Sequence, residues 1–80
     1  MKRIEVFTQP GCPPCSEVKA WLKRHGQEFT ERNIREDAAA LQELVAGGFK
    51  ATPVTMIDGQ PVAGFNPAEL ERLLATPQPR

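Results

Sequence analysis

The order of apolar and polar positions predicts a chain of alternating strands and helices. Residues 4–8, Ile-Glu-Val-Phe-Thr, form an apolar run typical of a strand. A Gln-Pro-Gly loop follows. Helical spacing then relates the apolar residues Val18, Trp21 and Leu22 and, after them, His25, and Gly26 is suited to end the helix. The polar stretch 28–34 predicts a strand at the edge of a sheet.

The second half of the chain predicts a helix, a hairpin and another helix. Residues 36–46 carry apolar side chains at helical spacing, ahead of Gly47 and Gly48: Ala38, Leu41, Leu44 and Val45. Strand-like runs 53–57 and 60–63 flank Asp58-Gly59, which suits the positive φ values of a type I′ turn. Asn66 can then cap a last helix with Pro67 at its first position.

The predicted element order is therefore β-α-β-α-β-β-α, an α/β fold. One right-handed βαβ crossover joined to an antiparallel pair gives a four-stranded mixed sheet with helices on both faces. This is the minimal thioredoxin fold. A chain of 80 residues forms one small domain, placed at residues 1–75, and we expect the Pro-containing tail 76–80 to be frayed.

Charge and the start of the chain exclude several classes of function. Ten basic and ten acidic residues give a net charge of zero, so no footprint for nucleic acid or an anionic membrane is expected. Neither a signal peptide nor a transmembrane run is predicted, which places the protein in the cytoplasm. Partners are expected to be proteins or small thiols.

The stretch Cys12-Pro13-Pro14-Cys15 carries the candidate chemistry, because it lies where the first strand passes into the first helix. Two thiols two residues apart beside a βαβ pattern are typical of a redox site. A reducing cytosol favours a transient, catalytic disulfide over a structural one. Zinc would need four ligands, and His25 lies too far along the helix to complete a site, so no metal is predicted.

The two prolines predict how the thiols differ. Cys12 is expected to be the N-cap and Pro13 the first helical residue. Because Pro14 has no N–H, the sulfur of Cys12 can draw on the amide of Cys15 and the helix dipole and little else. We expect the pKa of the Cys12 thiol to be lowered, less so than with a non-proline residue at position 14. Cys12 is the predicted nucleophile, and Cys15 the residue that resolves the mixed disulfide.

Three segments together resemble the glutaredoxin family over essentially the whole chain: residues 8–15 (TQPGCPPC), 51–54 (ATPV) and 63–67 (AGFNP). Within that family, Gly-Phe-Lys at 48–50 and Gly-Phe-Asn-Pro at 64–67 are most similar to NrdH-type redoxins. The resemblance implies a dithiol-disulfide oxidoreductase with a redox-active Cys12–Cys15 disulfide, no bound cofactor and a protein disulfide as substrate. A monomer is expected.

The same resemblance implies the substrate-binding residues and the partners. Thr52 and Pro53 are expected to form a cis peptide facing Cys12 and to pair with an extended substrate, alongside Pro13, Pro14, Gly64 and Phe65. Ordinary glutaredoxins carry a Lys where this chain has Gln9, and a second glycine where it has Phe65. Both changes disfavour glutathione, so thioredoxin reductase is the expected electron donor and ribonucleotide reductase the implied target.

Two alternatives remain open at this point. One is a glutathione-dependent glutaredoxin that removes glutathione from proteins through Cys12. The other is an iron-sulfur carrier dimer, in which Cys12 of two chains and two glutathiones hold a cluster that would make the protein brown.

Overall fold

The computed structural model describes residues 3–75. Within that range the chain forms seven helices and strands: β1 Ile4–Thr8, α1 Pro13–Arg24, β2 Thr30–Asn33, α2 Ala38–Ala46, β3 Val54–Ile57, β4 Gln60–Ala63 and α3 Pro67–Ala75. The predicted α/β order is confirmed. The predicted tail 76–80 lies outside the described residues. No helix in the described part of the chain is long and apolar enough to cross a membrane.

The four strands form one mixed sheet in the order β2-β1-β3-β4. β1 runs parallel to β2 and antiparallel to β3, with Phe7 opposite Val54, and β3 continues into β4 as an antiparallel hairpin. Asp58 and Gly59 at its turn have φ values of 50° and 85°, as a type I′ turn requires. The polar strand β2 lies at an edge, as its composition predicts.

Alternation along the strands divides the core between the two faces of the sheet. α1 and α3 cover one face, where the buried cluster consists of Ile4, Val6, Val18, Trp21, Leu22, Ile57, Val62, Leu70 and Leu73. α2 covers the other, with a smaller cluster of Phe7, Ala40, Leu44 and Val54. Complete burial of a side chain such as Leu22 contributes about 1.5–3 kcal/mol, so the larger cluster dominates stability.

Three elements are shorter than predicted, and one of them, β3, lacks only Pro53 of the run 53–57. The strand predicted at 28–34 pairs with β1 only over Thr30–Asn33. The helix predicted from residue 36 begins at Ala38, because the carboxylate of Asp37 accepts the Ala40 N–H at 3.1 Å and caps it. The apolar spacing of α2 does not identify its buried face, since Leu41 and Val45 are exposed.

Arg32 ties the edge strand to α2. Its guanidinium donates to Glu43 at 2.8 Å, to Asp37 at 3.2 Å and to Glu5 at 3.4 Å, and it lies 5.5 Å from the centre of the Phe7 ring. The bond to Glu43, followed by that to Asp37, raises the pKa of Arg32. This network replaces the apolar packing that a polar edge strand lacks.

Because β1 is antiparallel to β3 and β3 to β4, the last residue of β1, the first of β3 and the last of β4 lie at the same end of the sheet. The loops that leave this end of the sheet, together with the first turn of α1, carry all the residues that the sequence predicts for the site.

Candidate active site

Cys12 and Cys15 are joined by a disulfide at the N-terminus of α1. Cys12 is the N-cap, with extended backbone, and Pro13 and Pro14 occupy the first two helical positions, as predicted. The Cα atoms of the two cysteines lie 5.3 Å apart, within the range that a disulfide spans. Cys12 is half-buried, whereas Cys15 is only 2% exposed, so just one of the two residues is accessible to a large partner.

The sulfur of Cys12 has two hydrogen-bond donors close by. The Cys15 N–H donates to it at 3.3 Å, which is the amide that the sequence predicts, since Pro14 has none. The second donor, the hydroxyl of Thr52 at 3.5 Å, was missed by sequence reasoning, which expected little beyond the amide and the helix dipole. Gln9 donates in turn to that hydroxyl at 3.0 Å through its side-chain Nε2.

No local signal could have revealed the contacts of Thr52. Gln9 and Thr52 are separated by 43 residues, and Cys12 and Thr52 by 40. Sequence reasoning considered Gln9 only as the replacement of a lysine. The register of β1 and β3 would have been needed to place it against Thr52.

Thr52 and Pro53 are joined by a cis peptide, as expected from the family resemblance. Pro53 is buried, and its carbonyl accepts the Gly64 N–H at 2.8 Å, which joins the loop before β3 to the loop after β4. The two loops line an open groove of about 410 Å³, formed by residues 48–54 and 63–64. Thr52 therefore borders both the groove and the sulfur of Cys12.

Phe65 and Lys50 differ in their relation to the groove. Phe65 is half-buried and packs against the larger core cluster, whereas its neighbour Gly64, at φ +71°, lines the groove. Lys50 also lines the groove and supplies a positive charge there. Sequence reasoning used Lys50 only as part of a family motif.

A charged cluster lies beside the last residue of β1. Glu31 accepts a hydrogen bond from the hydroxyl of Thr8 at 2.8 Å and one from Lys19 at 3.0 Å. The Lys19 bond, followed by that of Thr8, lowers the pKa of Glu31 below its ordinary value. Within residues 3–75 no group of three or more His, Cys, Asp and Glu side chains is placed to hold a metal ion.

A thioredoxin fold that carries a Cys-x-x-Cys disulfide at the start of its first helix, beside a cis-proline, defines the class of thiol-disulfide oxidoreductases. The family model for glutaredoxins matches residues 4–62. This protein belongs to the glutaredoxin family, and like its members it is a thiol-disulfide oxidoreductase.

Within the glutaredoxin family, the proteins that are similar to this chain include NrdH-type redoxins. The glutaredoxin-like protein NrdH of Lactococcus lactis subsp. cremoris (strain MG1363) is 36% identical over 70 residues, which cover 88% of this chain and 97% of that protein. The crystal structure of the thioredoxin-like protein BC3987 has a TM-score of 0.84 at 43% identity, with 89% of this chain and 99% of the other covered. NrdH-redoxin from Escherichia coli has a TM-score of 0.83 at 28% identity, with 96% and 99% covered.

Proposed function

We propose that the protein reduces disulfides in partner proteins, with Cys12 as nucleophile and Cys15 as resolving residue, and that thioredoxin reductase returns it to the dithiol. The observation that carries this assignment is the difference in accessibility: Cys12 borders the surface, whereas Cys15 is 2% exposed. A partner's disulfide can reach only the first of them.

The reaction proceeds in two exchanges. The Cys12 thiolate attacks one sulfur of the partner's disulfide, that bond breaks, and the departing thiolate takes up a proton. The Cys15 thiol then loses its proton and attacks the sulfur of Cys12, which releases the partner's second thiolate. The partner gains two electrons and two protons, and the protein ends with the Cys12–Cys15 disulfide.

The groove beside Cys12 suits an extended segment of such a partner. Thr52, Pro53 and Gly64 are among the residues that line it. An extended peptide in this groove can pair with the backbone at Thr52 as an added strand, while Pro13 and Pro14, both exposed, flank the nucleophile.

Similarity to NrdH proteins supports the choice of partners. The Escherichia coli relative is described as a glutaredoxin-like protein with a thioredoxin-like activity profile. A thioredoxin-like role for this chain favours thioredoxin reductase as electron donor. Ribonucleotide reductase is the target that the resemblance to NrdH-type redoxins implies. Gln9 in place of a lysine is consistent with weak use of glutathione.

A coupled assay tests the electron donor. Oxidised protein is mixed with a disulfide substrate and with either NADPH and thioredoxin reductase, or glutathione, glutathione reductase and NADPH. We expect rapid NADPH consumption in the first mixture and slow consumption in the second. Robust turnover in the glutathione mixture alone would contradict the proposal.

One observation favours a glutathione-dependent glutaredoxin as second candidate. Lys50 lines the groove beside Thr52, where it can meet a carboxylate of glutathione. If glutathione were the donor, Lys50→Met would weaken its use by about tenfold or more, because a charge-assisted hydrogen bond contributes roughly 1.5–3 kcal/mol. Under the leading proposal Lys50→Met leaves the slow glutathione rate unchanged.

A further inference from the structure

We propose that Gln9 and Thr52 form a hydrogen-bond relay. Gln9 donates to the hydroxyl of Thr52, and this hydroxyl donates a hydrogen bond to the sulfur of Cys12 and so stabilises its thiolate. In this relay Thr52 is the donor to the reacting atom, and Gln9 is a positioning residue that acts through Thr52. The inference rests on the proposed role of Cys12 as nucleophile and is independent of the electron donor.

The relay follows from the distances and from hydroxyl chemistry. A threonine hydroxyl has one hydrogen to donate and lone pairs to accept. The amide Nε2 of Gln9, 3.0 Å from Thr52 Oγ1, is a donor only, so it occupies a lone pair of that oxygen and leaves the hydroxyl hydrogen free. Cys12 Sγ lies 3.5 Å from the same oxygen and accepts this hydrogen.

Strand register explains why Gln9 meets Thr52. β1 and β3 pair with Phe7 opposite Val54. Continuing this antiparallel register two residues beyond Phe7 sets Gln9 opposite Thr52. Both residues are half-buried, which limits competition from water for their hydrogen bonds.

The relay supplies a donor in place of the one that Pro14 removes. Pro13 and Pro14 occupy the first two positions of α1 and carry no N–H, which leaves the Cys15 amide as the backbone donor to Cys12 Sγ. The hydroxyl of Thr52 adds a second donor from outside the helix. Hydrogen bonds to a charged acceptor are stronger than those to a neutral one, so this donor favours the thiolate over the thiol.

The test is the pH dependence of alkylation of the fully reduced full chain by iodoacetamide, with mass spectrometry to identify the modified cysteine. Thr52→Val is nearly isosteric and replaces the hydroxyl with a methyl group. The midpoint of the alkylation rate against pH, which reports the pKa of the alkylated thiol, should therefore rise by about one pH unit. Thr52→Ser keeps a hydroxyl and should restore a midpoint close to that of the unsubstituted protein.

A double-mutant cycle tests the contribution of Gln9. Gln9→Met keeps the length of the side chain and removes its donor, so the midpoint should rise by about half a unit when Thr52 is present. In the Thr52→Val background, the same substitution should leave the midpoint unchanged, because no hydroxyl remains to be directed.

Several results would overturn the relay. Equal shifts from Thr52→Val and Thr52→Ser would show that packing, and not the hydroxyl, matters. A midpoint lowered by Gln9→Met would mean that Gln9 withdraws the hydroxyl from the sulfur, and equal effects in both backgrounds would mean that the two residues act separately. With Cys12 alkylated, any of these overturns the relay alone. Alkylation of Cys15 in place of Cys12 would overturn the nucleophile assignment as well.

Discussion

The backbone N–H of Cys15 donates to the sulfur of Cys12 at 3.3 Å, so the proposed resolving residue supplies a hydrogen bond to the proposed nucleophile. This bond occupies the third helical position of α1. The second position belongs to Pro14, which has no N–H to offer. One of the two amides from which an N-cap side chain accepts is thus absent at Cys12. This absence should affect the pKa of Cys12 and the reduction potential.

Pro14→Ala should lower the pKa of Cys12 and raise the reduction potential. The new amide lies at the second helical position, one of the two from which an N-cap side chain accepts. A more stable thiolate favours the reduced form, by at most about 30 mV for each unit of pKa. The potential is measured by equilibration with glutathione redox buffers.

Pro13→Ala is the matched control for this prediction. It relaxes the same turn but adds an amide at the first helical position, which an N-cap side chain does not use. Equal shifts in both variants would attribute the effect to loop flexibility, and the amide argument would then be wrong.

Cys12→Ser and Cys15→Ser should separate attack from resolution. Loss of the nucleophile abolishes reduction of insulin, whereas loss of Cys15 leaves attack intact and accumulates a mixed disulfide through Cys12. Non-reducing gel electrophoresis and mass spectrometry detect the adduct. An adduct that forms only in Cys12→Ser would reverse the two roles.

Thr55→Val should stabilise the protein. Thr55 is completely buried in β3, and among the described residues its hydroxyl has no hydrogen-bond partner. Removing an unsatisfied buried hydroxyl at constant shape should increase the free energy of unfolding by about 1 kcal/mol, measured by urea denaturation.

Thr8→Val provides the opposite case on the same face of the sheet. Thr8 is only 2% exposed, but its hydroxyl donates to Glu31 at 2.8 Å. This substitution should therefore lower the free energy of unfolding. A loss of stability in both variants would contradict the interpretation of Thr55 as an unsatisfied hydroxyl.

Glu31→Gln should reduce stability at neutral pH and have no effect in acid. The folded pKa of Glu31 lies below the ordinary value of 4.5, so its carboxylate contributes stability above that pH, and the contribution is lost as the pH falls through the folded pKa. Its side chain is 41% exposed, which limits the difference at pH 7 to below about 1 kcal/mol.

The measurement compares urea unfolding at pH 7 with urea unfolding at a series of lower pH values that carry the carboxylate through its protonation. Glu71→Gln, at an exposed site on α3, controls for the loss of one negative charge. A difference between Glu31→Gln and the unsubstituted protein that persisted in acid would assign the effect to packing.

Local signals account for the parts of the fold that the sequence predicts well. Asp58-Gly59 fixes its turn and Asn66 caps α3, accepting the Glu69 N–H at 3.2 Å, because each of these interactions involves near neighbours in the chain. The N-cap role of Asp37 was equally local, but it was overlooked because the helix was predicted to start at residue 36, before the first apolar position, Ala38.

Interactions between distant segments could not be predicted in the same way. Leu41 and Val45 follow the helical period as well as Leu44 does, yet only Leu44 is buried, because the position of α2 over Phe7 and Val54 decides which side is covered. The two donors to Cys12 differ in the same way. The Cys15 amide could be predicted because it follows from local helix geometry, whereas the Thr52 hydroxyl could not, because its position depends on the pairing of β1 with β3.

The hairpin β3–β4 has a practical consequence for handling the protein. Pro53 and Gly64, bonded at the groove, stand at one end of the hairpin, and the Asp58-Gly59 turn stands at the other. An affinity handle or a surface linker inserted after Gly59 would leave the end of the sheet beside Cys12 facing the solution. Immobilised in this orientation on a resin, Cys15→Ser protein becomes a bait that retains disulfide partners covalently and releases them with dithiothreitol.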